Sequence, residues 1–293
     1  MNKHAISRRA ALQRTSLFAA VFGIHPAVAE VIAATKDRPF KIGACDWSIG
    51  CRADLKAFDV AKEIGLDGVQ ASLGTVDDDM QLRQPEVQKA YLAASERTGV
   101  ELASLAIGAL NAVPYKSDPR TIPWVSGSID ACKALGCDVV LLAFFGKGDL
   151  KDDKKGTDEV IRRLKEVAPK AEKAGVTLGI ESWLSGEEHM HIIDSVGSPA
   201  VKVYYDTANS HKMGHDIYSE IRWLGKKGQI CEVHMKENDA LLGEGVVDFK
   251  KVRAAIEDSG YTGWMQIESA LPKGAKVVPS YQSNLKLLRS LFG

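Results

Sequence analysis

Four short segments in the second half of the chain each place an ionisable residue at the end of an apolar run. The residues are Glu181, Asp206, His234 and Glu268, and they follow one another at roughly one strand-plus-helix unit of sequence. Two glutamates, one aspartate and one histidine suit a single divalent cation of the Mn²⁺, Mg²⁺ or Zn²⁺ type. The pattern predicts a metal-dependent enzyme whose ligands come from four different strands.

Each of these residues, taken alone, has an ordinary structural explanation. A carboxylate at a strand end is often a helix cap or an ion-pair partner, and a single histidine is often a hydrogen-bonded core or surface residue. Three carboxylates gathered on one face would repel one another, which is costly without a compensating charge. A bound dication removes that cost, so the set as a whole favours a metal centre.

Such a centre needs elements that bring distant strand ends together. Apolar segments alternate with amphipathic segments, which predicts eight strands and eight helices. The predicted strands are 41–46, 68–71, 101–107, 138–144, 176–181, 201–206, 230–235 and 264–268. The predicted helices are 54–64, 85–98, 124–135, 158–173, 192–196, 217–226, 248–258 and 281–291.

This alternation requires parallel strands joined by right-handed crossovers. A doubly wound open sheet is the competing architecture. However, no G-x-G-x-x-G follows the first predicted strand, and in an open sheet the four candidate ligands would be too widely spread to share one ion. A closed barrel brings its strand ends to one face. We therefore predict the α/β class and a single (β/α)₈ TIM barrel over residues 40–293.

The bulk properties agree with one soluble barrel. The chain has 293 residues, of which 45% are hydrophobic and 26% charged. A barrel of about 250 residues accounts for nearly all of it, after a polar linker at 30–39. The 38 basic residues balance the 38 acidic ones, so no global field attracts nucleic acid or anionic lipid. We expect no nucleic-acid partner.

The N-terminal 29 residues have the pattern of an export signal. Arg8 and Arg9 precede an apolar stretch at 16–23, and Ala27 and Ala29 supply a small-residue cleavage site. The paired arginines are similar to the twin-arginine class of signals, which carries folded proteins across a bacterial membrane. The apolar stretch is well short of the roughly 20 residues that a membrane anchor needs. We expect a periplasmic or secreted protein, with the twin-arginine machinery as a partner and no stable membrane anchor.

The five cysteines do not form a disulfide framework. Their number is odd and no C-x-x-C is present. Cys45 and Cys231 lie in predicted strands, where a buried free thiol is expected. The sequence leaves open a Cys45–Cys51 pair and a Cys132–Cys137 pair.

Three segments, 233–238, 242–249 and 260–268, carry a family resemblance in this order. The chain resembles the xylose isomerase-like TIM barrels, a superfamily of sugar and sugar-phosphate isomerases and epimerases. The resemblance implies that Glu181, Asp206, His234 and Glu268 hold one Mn²⁺, Mg²⁺ or Co²⁺ ion. It also implies that Glu181 and Glu268 are the catalytic acid and base on opposite faces of a sugar. The trinuclear endonucleases of this fold need further histidines, and their Asp-x-x-His is here Asp206-x-x-Asn209.

Further residues near the predicted strand ends are candidates for substrate binding. Lys236 lies two residues beyond His234, and Asn209 follows Asp206 in the pattern shared with the family. Trp47 and Trp183 follow the first and fifth strands, where an aromatic ring can stack on the C–H face of a sugar. His211 lies on the loop after strand six. Solvated or packing roles compete with binding at each of these positions.

These observations predict a metal-dependent sugar isomerase or epimerase. Because phosphorylated sugars are mainly cytoplasmic, the predicted export favours free sugars, oxidised sugars or glycosides. The same proton abstraction would also serve β-elimination from a 3-keto-glycoside, so a lyase is one alternative. A non-catalytic carbohydrate-binding barrel is the alternative of another class. The sequence does not identify the sugar or the resident metal, and it leaves a homo-oligomer open.

Overall fold

The computed structural model of the protein describes residues 39–293. The predicted export signal at 1–29 lies outside the described residues, as does the predicted linker except for Pro39. Within residues 39–293, no helix is both long enough and apolar enough to cross a membrane.

Eight parallel strands pair in sequence order and close into a barrel. The strands are β1 (Phe40–Cys45), β2 (Gly68–Ser72), β3 (Glu101–Ile107), β4 (Val139–Phe144), β5 (Thr177–Ser182), β6 (Val201–Asp206), β7 (Ile230–Lys236) and β8 (Gly263–Glu268). The first and last strands pair from Phe40↔Gly263 to Ala44↔Ile267, which completes the ring. The predicted fold class is confirmed.

Helices alternate with these strands along the chain. They are α1 (Lys56–Ile64), α2 (Pro85–Thr98), α3 (Thr121–Leu135), α4 (Lys154–Ala174), α5 (Gly186–Val196), α6 (Thr207–Lys212), α7 (Ile217–Lys226), α8 (Phe249–Ser259) and α9 (Val277–Phe292). Short 3₁₀ turns occupy Gln81–Arg83, Gly108–Asn111 and Gly146–Gly148. The main apolar core unites buried residues of the strands with those of the surrounding helices.

The structure corrects several predicted helix starts and adds one helix. α3, α4 and α9 begin three or four residues earlier than predicted. α5 begins at Gly186 and not at residue 192, because Ser185 forms a capping box with Glu188. The additional helix α6 directly follows β6, and the Asp206 side chain caps it by accepting a hydrogen bond from the Asn209 amide at 2.7 Å. The sequence prediction treated 207–212 as a loop.

The interior of the barrel is polar below the strand ends. Gln70, Ser104, Tyr204 and Glu232 are almost completely buried and hydrogen-bond to one another across the barrel. Three strand glycines, at positions 43, 68 and 179, allow close packing here. A Cβ atom at Gly68, for example, would lie 2.9 Å from the Glu101 carbonyl oxygen and would also strike a neighbouring tryptophan ring.

The five cysteines all fall in the described part of the chain, and all are free thiols. Cys132 and Cys137 are close, with their sulfur atoms 3.3 Å apart. The structure therefore contains neither of the two pairings that the sequence left open.

Candidate active site at the carboxyl ends of the strands

Strands β5 to β8 bring the four predicted metal ligands together. Asp206 and Glu268 are the last residues of β6 and β8, and Glu181 and His234 lie near the ends of β5 and β7. In the strand register Asp206 is paired with His234, so the two side chains start from adjacent positions. One potential ligand atom from each of the four residues lies within 4.8 Å of the others. The convergence expected from a barrel is present.

The cluster surrounds the Nδ1 atom of His234. This nitrogen lies 3.1 Å from a carboxylate oxygen of Glu181, 3.4 Å from one of Glu268 and 3.6 Å from one of Asp206. His234 is fully buried and Glu268, the most accessible of the four, is 8% exposed. Three carboxylates and an imidazole nitrogen are thus close together in a region with little solvent accessibility.

The donor atoms fit a divalent cation. Asp206 Oδ2 and Glu268 Oε2 are buried without a hydrogen-bond partner among the described residues. The Lys236 ammonium lies 3.3 Å and 2.7 Å from these two oxygens, which is ion-pair distance without the alignment of a hydrogen bond. Buried carboxylate oxygens left without donors are costly, and a hard cation is a suitable partner for them. The four residues could therefore hold one ion.

Burial and mutual charge shift the pKa values in the cluster. Burial is the main cause that raises the pKa of Glu181 to about 7, with Glu268 and Asp206 adding to it and His234 opposing it. Burial also acts to raise the pKa of Asp206, but Lys236 and His234 outweigh it and lower that pKa. For His234, burial favours the neutral ring, yet the surrounding acidic groups raise its pKa above the usual value. The site thus concentrates negative charge that a cation would balance.

A cavity of about 330 Å³ opens onto this cluster. Its lining comprises Trp47, Arg52, Ser72, Gly74, Ala106, Gly108, Ala109, Asn111, Leu141, Ala143, Phe145, Glu181, Trp183, Asn209, Lys236 and Glu268. Glu181 and Glu268 are the members of the cluster that reach this lining, whereas Asp206 and His234 lie behind it. The two glutamates are therefore the cluster members that face a molecule in the cavity.

Four of the five predicted substrate-binding residues also line the cavity. Trp47 donates its indole N–H to Glu268 Oε1 at 2.8 Å, and Asn209 donates its amide N–H to Glu181 Oε1 at 3.4 Å. Trp183 packs edge-on against Phe145 with their ring centroids 5.4 Å apart. Lys236 makes the ion pairs described above. The substrate-binding roles of these residues stay predictions.

His211 differs from the other predicted binding residues. It lies on α6 and is partly buried, but it is not among the described residues that line the cavity. It is the fifth residue of this short helix. Its predicted contact with substrate gains no support.

Two lining residues, Arg52 and Asn111, were not predicted from the sequence. Arg52 lies on the β1–α1 loop, which the buried carboxylate of Asp46 anchors by accepting the Ala53 amide at 2.9 Å. Asn111 Oδ1 accepts the Phe145 amide at 2.9 Å and so fixes the loop after β4. Both residues lie on loops without sequence periodicity, so a local pattern could not have found them.

The polar residues inside the barrel were also missed, although a signal for two of them was available. Glu232 and Gln266 precede His234 and Glu268 by two residues, and a strand places residues two apart on the same face. Both side chains should therefore enter the barrel directly below the cluster, as they do. Gln70 lies on β2, far from the cluster in sequence, and offered no comparable signal.

Comparison with known proteins identifies relatives along most of the chain. The family described as xylose isomerase-like TIM barrel matches residues 58–291. A 2-epi-5-epi-valiolone 7-phosphate 2-epimerase from Actinoplanes sp. is 24% identical over 75% of this chain and 83% of its own. The L-ribulose-5-phosphate 3-epimerase UlaE from Salmonella heidelberg is 25% identical over 73% of this chain and 81% of its own. These relatives are sugar epimerases, which supports an enzyme.

Solved structures share the fold at lower sequence identity. The D-allulose 3-epimerase from Methylomonas sp., in complex with D-allulose, has a TM-score of 0.71 at 15% identity, over 87% of this chain and 98% of its own. The 3-keto-D-glucoside 4-epimerase YcjR from E. coli has a TM-score of 0.71 at 14% identity, over 86% and 99%. The family match, covering most of the closed barrel, shows that this chain belongs to the xylose isomerase-like TIM barrel family.

Proposed function

We propose that the protein is a divalent-metal-dependent sugar epimerase or isomerase that removes a proton from the carbon next to a carbonyl group. The observation that carries this proposal is that Glu181 and Glu268 belong to two sets of residues at once. Both belong to the ligand cluster, and both line the cavity. A sugar in the cavity would therefore meet two carboxylates, both from the set of residues that would hold an ion able to polarise its carbonyl. The sugar epimerases among the relatives support the same chemistry.

The carbon acid next to a carbonyl has a pKa far above that of an isolated carboxylate. A dication held by Glu181, Asp206, His234 and Glu268 would supply electrostatic stabilisation for the enediolate oxygens. One of the two cavity-facing glutamates begins ionised and accepts the proton from carbon, and the other begins protonated and returns its proton to the opposite face. Epimerisation then inverts the carbon without exchanging any other atom.

Neighbouring residues orient the two glutamates for this task. The Trp47 indole holds Glu268 Oε1, so the other oxygen, Oε2, is directed to the cluster and Lys236. Asn209 similarly contacts Glu181 Oε1. Because Lys236 is buried between carboxylates, its pKa is held above the usual value even though burial alone would lower it. The lysine therefore stays cationic and can donate to an anionic substrate oxygen.

The substrate class that we propose is a free ketose or a keto-glycoside. A cavity of about 330 Å³ is at the small end of ligand sites and suits a monosaccharide. The two curated relatives act on phosphorylated substrates, whereas export of this chain, which is itself a prediction, would separate it from the cytoplasmic pool of sugar phosphates. Both classes therefore belong in the test.

The test is proton NMR of the Mg²⁺-loaded protein in D₂O. The panel contains D-allulose, L-ribulose, L-ribulose 5-phosphate and a 3-keto-glycoside. Deuterium that enters beside the carbonyl, together with an epimerised product, is the expected result. Release of an aglycone from the 3-keto-glycoside would instead identify the lyase. Turnover confined to the phosphate would refute the proposed substrate class and leave the epimerase in place.

Variants separate catalysis from simple sugar binding. Glu268→Gln keeps the size of the side chain and removes its basicity, and we expect turnover to fall by about a hundredfold or more. Glu244→Gln is the matched control, since Glu244 is exposed on the loop after β7 and does not line the cavity. Near-native turnover of Glu268→Gln would refute the acid–base role. Sugar binding without hydrogen exchange in the wild-type protein would point to a non-catalytic carbohydrate-binding barrel.

A further inference from the structure

A chain of buried hydrogen bonds runs from the candidate metal centre to the opposite wall of the barrel. His234 Nε2, on the side of the ring facing away from the cluster, lies 2.8 Å from Gln70 Oε1. The Gln70 amide nitrogen contacts Ser104 Oγ at 3.1 Å and the Tyr204 hydroxyl at 2.9 Å. Both hydroxyls lie close to Glu232 Oε2, at 2.8 Å and 2.7 Å. These residues are at most 1% exposed, so water does not compete for their hydrogen bonds.

Glu232, at the end of the chain away from His234, decides which group donates and which accepts in each of these hydrogen bonds. As an ionised carboxylate, Glu232 can satisfy the buried lone pairs of Oε2 with good geometry only if the hydroxyl groups of Ser104 and Tyr204 donate to it. Each hydroxyl has one proton, so both must then accept from the Gln70 amide nitrogen, which uses both of its N–H groups. The carbonyl oxygen of Gln70 is thereby turned toward His234, where it can only accept.

The opposite orientation of Gln70 is costly. With its carbonyl oxygen toward the hydroxyls, Ser104 and Tyr204 would donate to Gln70, and Glu232 Oε2 would keep only a weak contact with the Gln266 amide at 3.5 Å. A buried carboxylate oxygen without good donors costs on the order of 1–3 kcal/mol or more. The Cys45 sulfur lies 3.3 Å from Gln70 Oε1 and 3.4 Å from His234 Nε2, so its proton can be donated to Gln70 Oε1 when Nε2 is itself protonated.

We infer that Glu232, acting through Gln70, fixes the tautomer of His234, so that Nε2 carries the proton and the Nδ1 lone pair points into the cluster. Glu232 and Gln70 are positioning residues, since neither lines the cavity among the described residues. The inference requires that the side chain at position 232 presents an acceptor oxygen, and not a proton, to the two hydroxyls. It rests on the metal centre proposed above, because the tautomer matters for a ligand that binds through Nδ1.

The packing of Tyr204 also helps to orient the imidazole ring of His234. Its ring lies against the imidazole of His234 with their centroids 4.5 Å apart, while its hydroxyl connects Gln70 to Glu232. The ring plane of His234 is thus held by Tyr204 and its protonation pattern by Gln70. Residues on three strands other than β7, namely β2, β3 and β6, therefore contribute to positioning this one candidate ligand.

Three variants test the inference. Glu232→Leu removes the acceptor oxygen, Glu232→Gln is the matched control that keeps one, and Gln70→Leu removes the partner of His234. The first readout is the imidazole ¹⁵N spectrum of the metal-free protein, recorded at a pH above the raised pKa of His234 so that the ring is neutral. The His234 signals are assigned by their loss in His234→Asn. The second is the dissociation constant for Mn²⁺ alone, measured by electron paramagnetic resonance.

We expect a proton on Nε2 in the wild-type protein and in Glu232→Gln. In metal-free Glu232→Leu with a neutral His234 ring, the hydroxyls turn to Gln70, its amide flips, and the ring proton moves from Nε2 to Nδ1. The Mn²⁺ dissociation constant should rise by about tenfold or more in Glu232→Leu and Gln70→Leu, the size of effect known for residues that orient metal ligands. A residue with a purely structural role would change the unfolding temperature without moving the proton.

Other outcomes refute the inference, or distinguish its failure from the failure of the proposed metal centre. An unprotonated Nε2 in the wild-type protein, or wild-type Mn²⁺ affinity in both leucine variants, would refute it. If Glu232→Leu does not fold, the double variant Ser104→Ala/Tyr204→Phe breaks the same connection and should give the same losses. A wild-type protein that binds no Mn²⁺ would refute the metal centre, while the Nε2 proton of the metal-free protein would still decide the direction of the chain.

Discussion

We expect the buried His189 to make the free energy of unfolding fall as the pH falls. The residue is 5% exposed on α5, and burial lowers its pKa from the ordinary 6.5 to about 4, with the Ser185 carbonyl and Glu188 opposing that shift and His215 adding to it. Its Nδ1 lies 2.9 Å from the Ser185 carbonyl oxygen and its Nε2 lies 2.9 Å from Ser182 Oγ. These contacts suit a neutral ring that donates through Nδ1 and accepts through Nε2.

The sign and size of the effect follow from proton linkage. Between pH 6.5 and pH 4 the unfolded chain binds a proton at His189 while the folded protein does not, so the free energy of unfolding falls as the pH falls. At about 1.4 kcal/mol per pKa unit, the full shift corresponds to about 3 kcal/mol. This contribution is fully present above pH 6.5 and lost below about pH 4.

The assay is urea unfolding of the metal-free protein across this pH range. The test variant is His189→Gln, and the matched control is His191→Gln, which replaces an exposed histidine of the same helix. Going from pH 7 to pH 4, the wild-type protein and the control should lose about 3 kcal/mol more stability than His189→Gln. A pH dependence of His189→Gln equal to that of the wild type would refute the reasoning, whatever its stability at pH 7.

Three further predictions concern the ion, the barrel interior and the N-terminus. Mn²⁺ at about 100 times its dissociation constant should stabilise the protein by about 2.7 kcal/mol, seen as a rise in melting temperature that EDTA reverses and Glu181→Gln reduces. Gly68→Ala should destabilise by roughly 1–3 kcal/mol in urea unfolding, because its Cβ would meet the Glu101 carbonyl oxygen at 2.9 Å. Replacing Arg8 and Arg9 by lysine should retain the protein in the cytoplasm, and unchanged periplasmic recovery after cell fractionation would contradict the twin-arginine prediction.

The sequence predicted the architecture well because the barrel repeats a local pattern. Strands β3 and β6 and helices α2 and α7 have their predicted bounds, and each of the other strands differs by one residue at one or both ends. The start of α5 was missed because its first turn, after Ser185, is glycine and glutamate and has no apolar periodicity. The short α6 was missed because it depends on a cap by Asp206, whose residue type also fitted a metal ligand.

The candidate site was predictable only where residues share a strand-end position. Glu181, Asp206, His234 and Glu268 could be grouped because each ends a periodic segment. The contacts of Gln70 and Trp47 could not, since they join residues 164 and 221 positions apart. Such pairs depend on the register of strands and on loop conformation, which no local pattern records.

The two carboxylate oxygens of Asp206 have different surroundings: one caps a helix and the other lies in the candidate site. Oδ1 caps α6, while Oδ2 is left without a hydrogen bond in the cluster. Selection can therefore retain this aspartate in a relative that has lost catalysis, because the helix still requires it. Glu181 and Glu268 cap no helix. In genome annotation, loss of either glutamate should thus be the sensitive sign of an inactive homologue, whereas a retained aspartate should carry little information about activity.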